Sequence, residues 1–295
     1  DCGSIVQDTP PVNPQISVSS VSCGQLFNIN LAQDVAVSGN EVSVLCNTVS
    51  SNCNNGAYPG VQQYIYRDTV TLPMPCTDWT FGYQLPDGQT RSAAITNLQS
   101  ADIFQLYIEA TLDNTRGCNN SPVFTQSPIA YYCNQANTFT QAIYEPDGDS
   151  LVYSLVHPLD APFAPIPYAG SFTASNPFNN TAFNFNTQTG DIAFTPNGAQ
   201  RPVVAVKIEE YRDGELIGSV WRDMQWVILP CNNQQINVST TANWQTHVCA
   251  GTPISLQWQA NDPEDGNLTL SSNIGSFPAS ATFTVSTAPP NSGFD

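Results

Sequence analysis

The stretch Val203-Val204-Ala205-Val206-Lys207-Ile208-Glu209-Glu210-Tyr211-Arg212-Asp213-Gly214-Glu215-Leu216-Ile217, followed by Met224-Gln225-Trp226-Val227-Ile228, decides the fold. β-favouring residues crowd both sides of Asp213-Gly214, the strongest local hairpin signal in the chain. Trp226 alternates in phase with Met224 and Ile228, which predicts a core position, and Trp221 then falls on the opposite face. Working outward, Val70-Thr71-Leu72, Phe104-Gln105-Leu106-Tyr107-Ile108 and Leu151-Val152-Tyr153-Ser154-Leu155 read as further strands. No sustained i, i+3, i+4, i+7 apolar stripe with caps occurs. Many short strands separated by Gly, Pro and Asn predict an all-β chain of stacked β-sandwiches.

Composition narrows the partners. The 295 residues carry 24 acidic and 7 basic side chains, for a net charge of −17, and Lys207 is the sole lysine. Charged residues make up 11 %, against roughly 25 % in an ordinary soluble domain. With 41 % hydrophobic residues there is material for real cores. The acidity argues against a nucleic-acid partner, which needs clustered Lys and Arg, and against anionic membrane surfaces. No apolar run approaches the ~20 residues of a membrane helix, so no membrane insertion is expected. No signal peptide follows Asp1, which implies either removal of a signal or a fragment of a longer chain. Nine cysteines beside 23 prolines and two methionines point to disulfides and an oxidising compartment. Their spacing lacks paired CxxC motifs, and His157 and His247 stand alone, which disfavours zinc.

An internal repeat sets the expected borders. Cys118-Asn119-Asn120 recurs as Cys231-Asn232-Asn233, an offset of 231 − 118 = 113 residues. Each copy leads through a cysteine (Cys133, Cys249) and an apolar run to an acidic turn. The turns are Glu145-Pro146-Asp147-Gly148-Asp149 and Asp262-Pro263-Glu264-Asp265-Gly266. The period predicts three domains: 1–118; 119–231, complete; and 232–295, partial because a sandwich of this type needs about seven strands.

Asn119-Asn120-Ser121-Pro122-Val123-Phe124 with Glu145-Pro146-Asp147-Gly148-Asp149-Ser150-Leu151-Val152-Tyr153 resembles a bacterial cadherin-like domain. The segment Phe183 to Pro196, a strand and Gly turn leading into a second strand, is similar to the same domain. With Glu210-Tyr211-Arg212-Asp213-Gly214, Cys76-Thr77-Asp78-Trp79 and Ala94-Ile95-Thr96-Asn97-Leu98, the set resembles large secreted surface proteins of Bacteroidota. Those are exported by type IX secretion and linked to adhesion and gliding motility. The resemblance implies tandem Ig-like, cadherin-like β-sandwich domains in a secreted, extracellular or cell-surface location. It also implies an early strand running parallel to the last strand of the middle domain, hence a Cys133–Cys231 disulfide. The rival pattern links Cys118 to Cys133 and Cys231 to Cys249. Cys46 and Cys53 are near enough in sequence to staple one loop, and Cys2 is paired with Cys23. Relatives have an opening strand pair where this chain opens at Asp1-Cys2, so the resemblance implies that domain 1–118 is N-terminally incomplete. Relatives also carry paired cysteines after the tryptophan segment, where this chain has Gln84-Leu85-Pro86-Asp87-Gly88, leaving Cys76 without that partner.

No catalytic constellation emerges, so no enzyme is expected. His157 and His247 lack a neighbouring nucleophile motif and read as strand-end surface residues. Glu209-Glu210 is the adjacent glutamate pair, but neighbouring strand residues face opposite sides and cannot flank one glycosidic bond. The pair reads as a solvated hairpin edge. Calcium is the cofactor candidate: Glu145, Asp147 and Asp149 alternate around Gly148 and present hard oxygens in a tight turn. The competing reading is an Asx-rich turn chosen for backbone geometry, and Asp262, Glu264 and Asp265 pose the same choice. Trp79, Trp244 and Trp258 could form a platform for surface glycans if exposed.

The function expected is a secreted structural or adhesive rod or filament subunit. The alternative is a carbohydrate-binding or spacer region of a secreted polysaccharide-degrading enzyme. Its partners would be adjacent domains of a longer chain or neighbouring copies of itself, with strands such as Ala281-Thr282-Phe283-Thr284-Val285 exchanged head to tail.

Overall fold

The computed structural model describes residues 10–43, 50–58, 60–125, 131–132, 134–229, 237–240 and 258–261. The chain divides into two compact units, Asp1–Pro230 and Cys231–Asp295. The described part of the second unit is an antiparallel pair, Asn237–Thr240 with Trp258–Asn261. The fold is all-β. Helix among the described residues is confined to single 3-10 turns at Asn52–Asn54, Ala101–Ile103 and Asn114–Arg116.

The first unit is built on β1 (Gln15–Ser20), β2 (Gln25–Asn30), β3 (Trp79–Gln84), β4 (Tyr107–Leu112), β5 (Asn137–Phe139), β6 (Ser150–Val156), β7 (Asn180–Phe185), β8 (Ile192–Pro196), β9 (Val203–Arg212) and β10 (Glu215–Gln225). One antiparallel sheet runs in the order β6-β9-β10-β4-β3-β1-β2. Leu159–Ala161 and Ala164–Pro165 add a short hairpin beside β4. A second sheet has the order β5-β8-β7.

The β9–β10 hairpin turns at Asp213 (φ 53°) and Gly214 (φ 81°). Positive φ at both central residues matches the twist of the flanking strands, which is why Asp-Gly closes this hairpin. Val204, Val206 and Ile208 of β9 share a buried cluster with Met224 and Trp226 and with Phe139, Ile192 and Phe194 of the second sheet. The core of this half therefore lies between two sheets. Trp226 is fully buried, stacked at 4.9 Å on Phe194 and 5.2 Å on Phe139, so its truncation would cost roughly 3–5 kcal/mol. A separate cluster of Val18, Cys76 and Trp79 sits against β1 and β2.

The expected border between 118 and 119 falls inside the first unit. Sheet hydrogen bonding crosses it, because β4 pairs with β10 through Ala110↔Val220, Thr111↔Ser219 and Leu112↔Gly218. A third apolar cluster, of Ile95, Leu98, Ala101, Ile166 and Val203, also draws on both sides. At its edge the fully buried Asn97 donates to the carbonyls of Pro177 and Val203 and accepts from the Val203 N–H.

Two sequence expectations need correction. Cys23 is bonded to Cys76, not to Cys2, so Cys76 does have a partner. Their strands explain it: β1 and β3 are paired neighbours, and Cys23 and Cys76 lie just beyond the same end of that pair. Val70-Thr71-Leu72 is not a strand; Leu72 instead packs on the Val18–Trp79 cluster.

Candidate functional site

The period of two along a strand places Val204, Val206, Ile208, Glu210 and Arg212 on one face of β9. The first three are buried in the core, so Glu210 and Arg212 carry that face to the end of the strand. Ser150 of β6 pairs with Tyr211, which brings the Glu145–Asp149 turn beside Arg212. Gly148, at φ 84°, gives that turn its left-handed residue.

The three acidic side chains predicted as a site do converge, with carboxylate oxygens within 4.8 Å of one another. Arg212 lies among them. Its Nε donates to Asp149 Oδ1 at 2.9 Å, and its Nη2 donates to Asp149 Oδ2 at 2.5 Å, Asp147 Oδ2 at 3.4 Å and Asn119 Oδ1 at 2.8 Å. Its Nη1 donates to the Cys118 carbonyl at 2.9 Å. Asn120 donates to Asp147 from its backbone N–H (2.6 Å) and its side chain (2.8 Å). Glu145 accepts from the N–H groups of Asp147 and Asp149. Every oxygen of the three carboxylates thus accepts an N–H. Calcium takes six to eight oxygens at about 2.3–2.6 Å, and here it would need oxygens already held by Arg212. Arg212 donates to three of the six carboxylate oxygens, and Asn120 and the turn's own N–H groups donate to the others.

Electrostatics follow from these contacts. The Asn120 hydrogen bonds, with Arg212 adding to them, hold Asp147 below the usual carboxylate range. The bond to Asp149 raises the Arg212 pKa further. Glu210 behaves differently. It is 1 % exposed, accepts one bond from Asn119 Nδ2 at 3.0 Å, and has no hydrogen-bond partner at Oε1. Burial pushes its pKa up to about 7; repulsion by Glu145 and Asp149 adds to this, and Asn119 and Arg212 oppose it. The expectation of a solvated edge fails for Glu210. The signal that would have found it is its phase with Val204, Val206 and Ile208.

A second buried polar group ties the loop before β4 to β10. Arg91 forks onto Asp223 at 3.0 and 2.7 Å and also donates to the carbonyls of Gln105 and Leu159. The side chains are 4 % and 6 % exposed. Arg222, on the same strand, lies over the Phe124 ring at 4.4 Å and donates to Gln141. Burial lowers its pKa to about 10.

The remaining candidates are dispersed. Trp79 and Trp226 are fully buried and form no glycan platform. Trp244 and the side chain of Trp258 lie outside the described residues. His157 is exposed and stacks on Tyr168 at 5.1 Å. Cys53 is disulfide-bonded, while Cys2, Cys46, Cys133, Cys231 and Cys249 lie outside the described residues. Tyr131–Tyr132 and Val227–Ile228 do run parallel, Tyr132 opposite Ile228. Cys118 is a free, exposed thiol. The acidic residues Asp262, Glu264 and Asp265 also lie outside the described residues.

No family model, no curated protein and no solved structure matches the chain. The geometry defines its class as an all-β chain of antiparallel sheets, and no helix among the described residues is long and apolar enough to cross a membrane.

Proposed function

We propose that this chain is a non-enzymatic, secreted cell-surface protein of structural or adhesive kind, a rod or filament element of Ig-like, cadherin-like β-sandwich domains. The observation that carries the reading is how its chemistry-bearing side chains are used. Arg212, Arg91, Asn97, Asp147 and Asp149 each bond separate chain segments to one another, while Glu145 closes the turn locally. That pattern suits a load-bearing element. The Cys23–Cys76 bond and the acidic, lysine-poor composition support an extracellular setting. The resemblance to secreted Bacteroidota surface proteins is consistent with both, and partners would be adjacent domains or further copies of the chain.

Single-molecule pulling tests it. A structural element should give a force peak whose length gain grows on reduction. Cys23–Cys76 spans a separation of 53 residues, so its reduction should release roughly 180 Å of chain at ~3.5 Å per residue. Unfolding without a resolvable force peak would count against the reading. Low-micromolar binding on a glycan array would favour the carbohydrate-binding alternative.

A further inference from the structure

We propose that Arg212 is the resident cation of the Glu145–Asp149 turn, and that this built-in charge closes the turn to calcium. The inference goes beyond the structural role above, since a load-bearing domain could be stiffened either by a metal or by its own side chain. The acceptors around the guanidinium are Cys118 O, Asn119 Oδ1, Asp147 Oδ2 and both oxygens of Asp149. All five are oxygens, and two of the residues are anionic. That is the ligand chemistry a hard divalent cation seeks, taken up instead by a planar fork of N–H donors.

Placement on β9 makes the arrangement intrinsic to the fold. Arg212 precedes the Asp213-Gly214 turn and is held in register by its pairing with Glu215, so its reach to the acidic turn is set by the hairpin. The same guanidinium joins the Cys118–Asn119 segment to the turn. Removal of Arg212 would leave four oxygens without their donor, Cys118 O, Asn119 Oδ1 and both of Asp149, while Asp147 Oδ2 would keep its bond from the Asn120 N–H. They lie next to the buried carboxylate of Glu210 and its unpartnered Oε1. The local excess of negative charge would then recruit a divalent cation.

The experiment compares wild type, R212Q, R212K and D149N by thermal unfolding in millimolar calcium and in chelator, with calcium titrations by calorimetry. Wild type should melt at the same temperature in both buffers. R212Q should melt several degrees lower in chelator and recover with calcium. R212K, which retains a charge without the fork, should fall between them. Wild-type calcium heat that D149N abolishes would overturn the proposal, as would a folded R212Q that gains no response to calcium. Heat that persists in D149N comes from another part of the chain and leaves the turn metal-free, as proposed. Should R212Q fail to fold, the wild-type comparison with D149N still decides the question.

Discussion

Replacing Arg91 by methionine tests whether residues on both sides of the 118/119 border fold as one body. The variant leaves the Asp223 carboxylate 6 % exposed and without its fork partner. Breaking a buried pair from one side costs about 3–5 kcal/mol, because an uncompensated charge stays behind. At about 4 kcal/mol the opening equilibrium shifts by roughly three decades. Hydrogen exchange read by mass spectrometry would follow Trp79–Gln84 and Val203–Arg212, strands from the two sides joined through β4 and β10. Amides in both should lose protection together, since global opening limits the exchange of core strands. The double variant R91M/D223L should recover most of the loss, as apolar replacement of a whole buried pair is often neutral or better. A loss under about 1 kcal/mol, or faster exchange in only one of the two strands, would refute the reasoning.

Three further outcomes are expected. Glu210 has a folded-state pKa raised from 4.5 to about 7, so the folded protein binds more protons than the unfolded chain between those values. Its contribution therefore favours folding at low pH and is lost as pH rises through that window; urea midpoints from pH 4.5 to 7.5 should show a fall that E210Q flattens. Gly218→Ala would place a Cβ 3.0 Å from the Thr111 carbonyl and 3.1 Å from Glu210 Oε2, so about 1–3 kcal/mol should be lost, read as a lower urea midpoint. With a net charge of −17, added salt should raise the melting temperature by screening self-repulsion, and a melting temperature that falls with salt would count against this.

What the sequence made legible is what local rules govern. Asp213-Gly214 predicts its turn because the backbone needs two adjacent positive φ values, and both occur. Trp226 is readable as core from its phase with Met224 and Ile228, and all three are buried. Pairings between distant segments left no such mark. Nothing in Tyr107–Leu112 says that it will join β10 as well as β3, since edge backbone groups are the same in any strand. Cys23 and Cys76 are separated by 53 residues and meet only because β1 and β3 pair. The acidic turn was legible as a cluster, but its counter-charge was not, because Arg212 lies 63 residues from Asp149.

The distribution of positive charge explains why a chain so acidic holds together. Arg91, Arg116, Arg212, Arg67 and Lys207 each form an ion pair within the described residues, and Arg222 is buried against aromatic rings and Gln141. The scarce cations thus sit where they oppose particular carboxylates or fill the core, and Glu210 is buried with only an Asn119 hydrogen bond. Exposed pairs of this kind contribute little, near 0–1 kcal/mol each, so they do not explain the fold. Arg91 and Arg212 differ by position: one is buried and the other bonds two distant segments at once. Asp223 pairs with Arg91, and Asp147 and Asp149 pair with Arg212, so removal of either arginine breaks those ion pairs. A low basic count therefore makes these two arginines hard to replace, because the chain carries few other positive groups that could rearrange into their place.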